Sequence, residues 1–198
     1  MPDLMPDLRA AAAIAAVLSL GAGALPAGAE NAEDPAPNGC PASSSVDWRA
    51  EDGDAVAVFA VAAHARGPSC ADAAILLTMR DPAGRLATTA AFDPRLLFDF
   101  GAPETPEQMV EALTRWLLEP GDGGAADVLP EWAEGAEQPG GEFPFFPEPW
   151  IDRSLYEALR ALNAPLFCVI QGGESSGCYA ADVEAGRIDY IGAQSFPG

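Results

Sequence analysis

Ser175 and His64 are the two side chains in this sequence whose types could carry out hydrolytic chemistry. Ser175 lies in Gly173-Glu174-Ser175-Ser176-Gly177, which fits the G-x-S-x-G pattern of a nucleophile turn. In such a turn a strand delivers the serine to the start of a helix, where a nearby base activates it. His64 is the one histidine of the chain. Together the two residues define one hypothesis, a small secreted serine hydrolase.

The surroundings of Ser175 favour a hairpin instead. The residues that follow, "CYAADVEAG", contain a cysteine and a turn where a nucleophile turn needs a helix. "AVAAH", ending at His64, and "GESSG", around Ser175, resemble the two signatures of trypsin-like proteases, and this resemblance implies a His64 base and a Ser175 nucleophile. Ser176 stands where that family has glycine, and Glu174 where it has aspartate. We therefore expect no catalysis and keep the hydrolase as the alternative.

Metal and cofactor motifs do not explain the chain either. It has no phosphate-binding loop, dinucleotide fingerprint or zinc motif, and its acidic stretches do not follow the spacing of an EF-hand loop. We expect no cofactor and no metal ion. The formal net charge of −20, with every basic residue an arginine, argues against nucleic acid and anionic membranes as partners. A basic protein, or another cationic partner, fits this charge.

The N-terminus predicts an exported protein. Arg9 is followed by an apolar run, small residues and the cleavage pattern Ala27-Gly28-Ala29, which is the build of a secretory signal peptide over residues 1–29. No later segment is long and apolar enough to span a membrane, so we expect no membrane association after cleavage. A secreted or periplasmic location follows.

Four cysteines in an exported chain indicate two disulfides, and three connectivities are open. Cys168 and Cys178 flank a Gly/Ser-rich turn, which favours their local pairing and leaves Cys40 with Cys70. The composition of residues 30–45 indicates a loose chain, so we expect a loose lead-in over residues 30–54, tied down by Cys40, and place the start of the folded domain at residue 55.

Hydrophobic patterns predict the elements of that domain. Residues 55–64 are typical of a buried strand, with a helix as the alternative because so many of them are alanine, and residues 74–92 indicate a hairpin around "DPAG". A helix begins at Thr105, with Gln108 completing a capping box. A second helix covers about 152–163, starting at Asp152 or at Ser154 with Glu157 as capping partner, and three short strands follow it. Both helices carry apolar stripes that we assign to the core, and these stripes are Met109, Leu113, Trp116 and Leu117 in the first helix and Leu155, Leu159 and Leu162 in the second.

This order of elements predicts an α+β domain over 55–198. It consists of an antiparallel sheet of about six short strands, with both helices on one face, stapled by disulfides. Between the helices lies a long acidic loop, 119–150, rich in proline, glycine and aromatic residues. Loops of this length are uncommon in compact domains unless they are functional or disordered.

The stretch "GEFPFFPEPW" at the end of this loop leaves two interpretations open. Its aromatic rings cover the sheet as an irregular lid, or they form an exposed surface for a partner. In the second case the candidate binding residues are Phe143, Phe145, Phe146, Glu148 and Trp150. The expected function is that of an acidic binding or inhibitor-type domain for a cationic partner.

Overall fold

The first sheet contains four antiparallel strands that follow one another in the chain. In the computed structural model, which describes residues 39–118, 124–141 and 143–195, these strands are β1 Ala42–Asp52, β2 Ala55–Arg66, β3 Ala74–Arg80 and β4 Leu86–Phe92. The hairpin expected at "DPAG" is confirmed, because β3 pairs with β4 around a turn that the Asp81 carboxylate closes by accepting from the N–H of Ala83 at 2.9 Å. The expected signal peptide, residues 1–29, lies outside the described residues.

The second sheet is built largely from the C-terminal third of the chain. Its strands are β5 Gly124–Ala125, β6 Phe145–Pro147, β7 Pro165–Ile170, β8 Ser175–Asp182 and β9 Arg187–Ser195, in the order β5-β7-β8-β9-β6. The α+β class is thus confirmed, but the expected single sheet of about six strands is wrong. The described residues form sheets of four and five strands, in which β1, β5 and β6 are additional to the expected six, and β5 and β6 come from the 119–150 segment.

A first core lies between the two sheets. Trp48 of β1 contacts Phe59 of β2 and Phe167 of β7, with ring centroids 5.3 and 5.5 Å apart. Helix α1, Pro106–Leu118, closes this core with one face, and the buried side chains of that face are Met109, Ala112, Leu113, Trp116 and Leu117. The apolar stripe expected for the first helix is therefore confirmed as core.

A second core covers the opposite face of the second sheet. Phe167 faces the first core, whereas its neighbour Leu166 faces the second, together with Tyr156 of helix α2, Arg153–Ala161. The expectation that both helices cover one face is wrong, since α1 and α2 lie on opposite sides of this sheet. The reason is that β7 and β8 are apolar at consecutive positions, a pattern typical of strands buried on both faces.

The expected loose lead-in, residues 30–54, is wrong for its second half. Residues 42–52 form β1, which pairs with β2 along its whole length. Val46, Trp48 and Ala50 face the core and alternate with charged residues on the other face, which is the period of two that a half-buried strand requires. The folded domain thus begins well before residue 55.

Helix α1 begins where the sequence predicts. The Thr105 hydroxyl accepts from the N–H of Gln108 at 3.3 Å, and the Gln108 side-chain oxygen accepts from the N–H of Thr105 at 3.3 Å. This reciprocal pair is the expected capping box, and it satisfies N–H groups that the first turn of a helix leaves without a partner.

The structure contains the two disulfides expected from the sequence. Cys40 is bonded to Cys70, and Cys168 to Cys178. Disulfides persist in oxidising compartments, so they support an extracytoplasmic environment for this chain. Among the described residues no helix is both long and apolar enough to cross a membrane.

Candidate binding cleft

Ser175 and His64 lie in different sheets. Ser175 is the first residue of β8, directly after the turn of the β7–β8 hairpin, so a strand follows it rather than a helix. His64 lies in β2 between Ala63 and Ala65, whose side chains face the first core, and its own side chain is on the outer face of the first sheet. In the part of the chain that the structure describes, no hydrogen bond joins the two side chains. The local fold is therefore the hairpin that the sequence favours.

The aromatic stretch 143–150 has one ring buried against the second sheet and three rings exposed, so each of the two interpretations holds for part of it. Phe145 is 0% exposed, and its ring centroid lies 5.6 Å from that of Tyr156. Phe145 therefore belongs to the second core, and its assignment as a binding residue is wrong. Side chains alternate along β6, so Phe146 points the other way and is exposed, as are Phe143 and Trp150, while Glu148 is half-buried.

Strand β6 positions Trp150. Phe146 pairs with Ala193 of β9, and the N–H of Glu148 donates to the carbonyl of Ile191 at 3.0 Å. A turn follows, in which the N–H of Ile151 donates to the carbonyl of Glu148 at 2.8 Å. The turn places Ile151 in the second core and leaves the Trp150 side chain 53% exposed.

Gly192 allows β6 to approach β9 closely. Its φ of 142° is a conformation that residues with a Cβ rarely adopt. A Cβ at this position would also collide with the backbone carbonyl of Phe146 and would lie 2.8 Å from the ring of Phe145. The placement of Trp150 therefore depends on a glycine in the neighbouring strand.

Helix α2 forms one wall of a cleft beside Trp150. Asp152 caps the helix by accepting from the N–H of Leu155 at 2.9 Å, whereas Glu157 pairs with Arg153 instead of completing a second cap. The fully buried residue of α2 is Tyr156, whose hydroxyl donates to the carbonyl of Pro130 at 2.8 Å. The hydrogen bonds from Leu155 and Ser154 lower the pKa of Asp152 below its ordinary value of 3.8.

The expectation that the leucine stripe of the second helix belongs to the core is wrong for Leu155 and Leu162, and all three leucines line the cleft. Leu155 is exposed, Leu159 is half-buried, and Leu162 is 70% exposed. Tyr156 and Leu159 turn toward the sheet, and this leaves Leu155 and Leu162 on the side of the helix that faces the opening. The cleft has a volume of about 320 Å³, and its remaining apolar lining is Trp150, Ile151, Ala164, Pro165, Ala180, Ala181 and Ile191.

Charged side chains border the cleft on the side of the sheet. Asp52 ends β1, Asp182 ends β8, and Arg187 and Asp189 begin β9. The Arg187 guanidinium lies 2.7 Å from Asp189 and 3.5 Å from Asp182, and the hydrogen bond that it donates to Asp189 raises the pKa of Arg187. Two of the three carboxylates pair with this guanidinium, and the border as a whole carries three negative charges and one positive charge.

Sequence reasoning finds only part of this site. Of the predicted binding residues, the structure brings Trp150 alone into the cleft. The leucines of α2 carry a visible signal, a stripe at helical spacing, but a stripe of this kind is ordinarily buried. The aspartates of the border have no local motif and meet only because three strands end at the same place.

Comparison of the chain with protein-family models, with curated proteins and with solved structures finds no match. In residues 39–118, 124–141 and 143–195 there is also no group of three or more His, Cys, Asp or Glu side chains arranged to hold a metal ion. The candidate site is thus an open apolar cleft with an acidic border.

Proposed function

We propose that this chain is a secreted or periplasmic binding domain that recognises a basic protein through the cleft beside α2. The occupant is an apolar side chain flanked by arginine or lysine in an exposed segment of the partner. The observation that carries this proposal is the position of the half-exposed Trp150 at an open apolar cleft that is bordered by aspartates.

The apolar part of the cleft supplies the anchor site. Tryptophan is enriched among the residues that dominate binding energies, and such residues act best beside a pocket that excludes water. The cleft, at about 320 Å³, is near the lower end of ligand pockets and suits a single leucine-sized or aromatic side chain. Because Leu162 is 70% exposed, an occupant would remove apolar surface from water without first opening the core.

The charge of the cleft favours basic residues on either side of the apolar side chain that the partner inserts. Asp52, Asp182 and Asp189 attract a cation, and Arg187 supplies one positive charge against these three negative charges. The C-terminal end of α2 also reaches the cleft at Leu162, where the helix dipole is negative and favours positive charge. The net charge of −20 adds long-range attraction for a basic partner, and this attraction affects the association rate more than the affinity.

A short synthetic peptide tests the proposal. The probe is one leucine between two pairs of arginines, and fluorescence anisotropy of a dye on the peptide measures its binding. We expect Trp150→Ala to weaken binding roughly 10-fold or more, which is the size expected for an aromatic anchor. The matched control is Phe98→Ala, since Phe98 is also an exposed ring, 63% accessible, but does not line the cleft.

Two further peptides separate the anchor from the charge. Replacing the leucine by serine should reduce binding to the level that charge alone supports, and replacing the arginines by glutamates should abolish binding. Equal binding of the leucine and serine peptides would contradict the apolar anchor. An unchanged affinity for Trp150→Ala would contradict the proposed site.

A further inference from the structure

A small pocket lies beside α1, between the helix and the loop that leads into it. Its volume is about 240 Å³, and it shares no lining residue with the cleft beside α2. The polar side chains that line it are Gln108, Glu111 and Arg115, and its apolar lining includes Phe100 and Pro103. Pockets for drug-sized ligands begin at about 300 Å³, so this pocket suits a smaller molecule.

The loop before α1 holds the Arg115 guanidinium in place. The Nη2 of Arg115 donates to the carbonyl oxygens of Asp99 and Phe100 at 3.1 and 3.2 Å. The N–H groups on its Nε and Nη1 have no acceptor within the described residues. Because both acceptors are neutral carbonyls, no carboxylate balances the positive charge of Arg115 in this part of the chain.

Glu111 lies one turn before Arg115 on α1 but does not pair with it. A glutamate four residues before a basic residue is the favoured order for an ion pair on a helix. In α2 the side chains of Arg153 and Glu157 do pair at this spacing, at 2.7 Å. The side chain of Glu111 is exposed and has no hydrogen bond or ion pair in the part of the chain that the structure describes. The bonds from Arg115 to the loop therefore leave a carboxylate and a guanidinium apart in one pocket.

Gln108 adds hydrogen-bond donors to the same pocket. Its Oε1 accepts from the N–H groups of Glu104 and Thr105 at 2.8 and 3.3 Å, which fixes the orientation of the amide. The two N–H groups on its Nε2 are then left for another acceptor. The pocket thus has donors at Gln108 and Arg115 and a carboxylate at Glu111, in the turn between them.

These charges favour a ligand that carries both signs. A simple anion would be repelled by the Glu111 carboxylate and by the net charge of −20 on the chain. A simple cation would be repelled by the Arg115 guanidinium in the same pocket. An α-amino acid has an ammonium and a carboxylate on the same carbon atom, so one small molecule satisfies both side chains.

We propose that this pocket binds a free α-amino acid with a small apolar side chain. Its carboxylate accepts from Arg115 and Gln108, its ammonium donates to Glu111, and its side chain contacts Phe100 and Pro103. Because the pocket is open and its charges are partly solvated, we expect a dissociation constant on the order of 1 mM. The proposal does not depend on the proposed binding function, which concerns the cleft beside α2.

Binding of L-valine, followed by nuclear magnetic resonance of the isotope-labelled protein, tests this proposal. Two analogues each lack one charge, since isobutylamine has no carboxylate and isovalerate has no ammonium. We expect valine to shift the side-chain signals of Arg115 and Gln108 in a saturable way. Valine should also bind about 10-fold more tightly than either analogue, which is the effect of losing one hydrogen bond between charged groups.

Glu111→Gln removes the proposed partner of the ammonium and should make valine and isovalerate bind equally. Glu104→Gln is the matched control, because it removes the same charge from an exposed residue near the pocket that does not line it, and the preference for valine should persist. The proposal would be overturned by valine that produces no saturable shift at Arg115, or by isovalerate that binds the wild type as tightly as valine. A Glu111→Gln protein that keeps the preference for valine would overturn it as well.

Discussion

Helices α1 and α2 carry apolar stripes of the same kind, yet the two stripes have different fates. In α1 the side chains of Met109 and Leu113 are fully buried between the sheets. In α2 the buried residue is Tyr156, and the leucines Leu155 and Leu162 remain exposed beside a cleft. The comparison shows that an apolar stripe identifies a helix more reliably than it identifies a core.

The difference comes from what each helix has to cover. Helix α1 closes the core between the two sheets, and Met109, Leu113, Trp116 and Leu117 are all buried there. Helix α2 lies over one face of the second sheet, where Ala126, Leu129 and Phe145 from the 119–150 segment already occupy much of the surface. Leu155 and Leu162 therefore remain exposed, whereas Leu159 packs against this second core.

The largest expected effect is the loss of a core side chain from α1. Leu113→Ala should lower the free energy of unfolding by about 2–5 kcal/mol, because the residue is fully buried and its removal leaves a cavity. Chemical denaturation monitored by circular dichroism measures this loss. A loss below about 1 kcal/mol would show that the α1 stripe is not the core described above.

The next effect concerns the glycine that lets β6 reach β9. Gly192→Ala should cost about 1–3 kcal/mol from backbone strain alone, and the collision with Phe146 and Phe145 should add to this cost. Gly173→Ala is the matched control, since a Cβ there meets nothing within 4 Å and should change stability by less than about 0.5 kcal/mol. Equal stability of the two variants would contradict the described pairing of β6 with β9.

A smaller effect is the pH dependence of the stabilisation that Asp152 gives to the start of α2. The pKa of Asp152 is lower in the folded protein than its ordinary value of 3.8, because its carboxylate accepts hydrogen bonds from Leu155 and Ser154. The stabilisation that follows is fully present above pH 3.8 and is lost as pH falls through the lowered pKa.

Asp152→Asn keeps an acceptor at the start of α2 but removes its titration. The difference in stability between this variant and the wild type should be largest at neutral pH and should shrink below pH 3.8. Denaturation curves at several pH values provide the measurement. A difference that stays constant through this range would show that the charge of Asp152 does not stabilise α2.

The smallest effect on stability should come from the exposed end of the α2 stripe. Leu162→Ala should change the free energy of unfolding by less than about 0.5 kcal/mol, because Leu162 is 70% exposed. The same substitution should weaken binding of the leucine–arginine peptide, because Leu162 lines the cleft. A large loss of stability without any change in binding would reverse the contrast between the two helices.

The sequence predicts the local elements better than their arrangement. The capping box at Thr105, the turn at Asp81 and the β7–β8 hairpin follow from short-range chemistry, and all three occur in the structure. Strand β1 is missed because its serines and charges conceal the alternation of Val46, Trp48 and Ala50.

The division into two sheets and the position of the cleft depend on long-range packing. Nothing near Leu155 shows that Phe145 and Leu129 already fill the face that α2 would otherwise cover. Likewise, Asp52 and Asp189 lie far apart in the chain, and only the packing of the two sheets brings them to the same cleft. Trp150 could be proposed as a binding residue because it lies in a stretch rich in aromatic residues and proline. The acidic border could not be proposed in this way.

The central claim is that the cleft beside α2 holds an apolar side chain of a basic partner. Nuclear Overhauser effects between the leucine methyl groups of the leucine–arginine peptide and the isotope-labelled protein test this claim most directly. The account predicts contacts from these methyl groups to the indole of Trp150 and to the methyl groups of Leu155 and Leu162. Contacts confined to other exposed apolar residues, such as Phe98 or Leu76, or no contacts at a saturating peptide concentration, would contradict it.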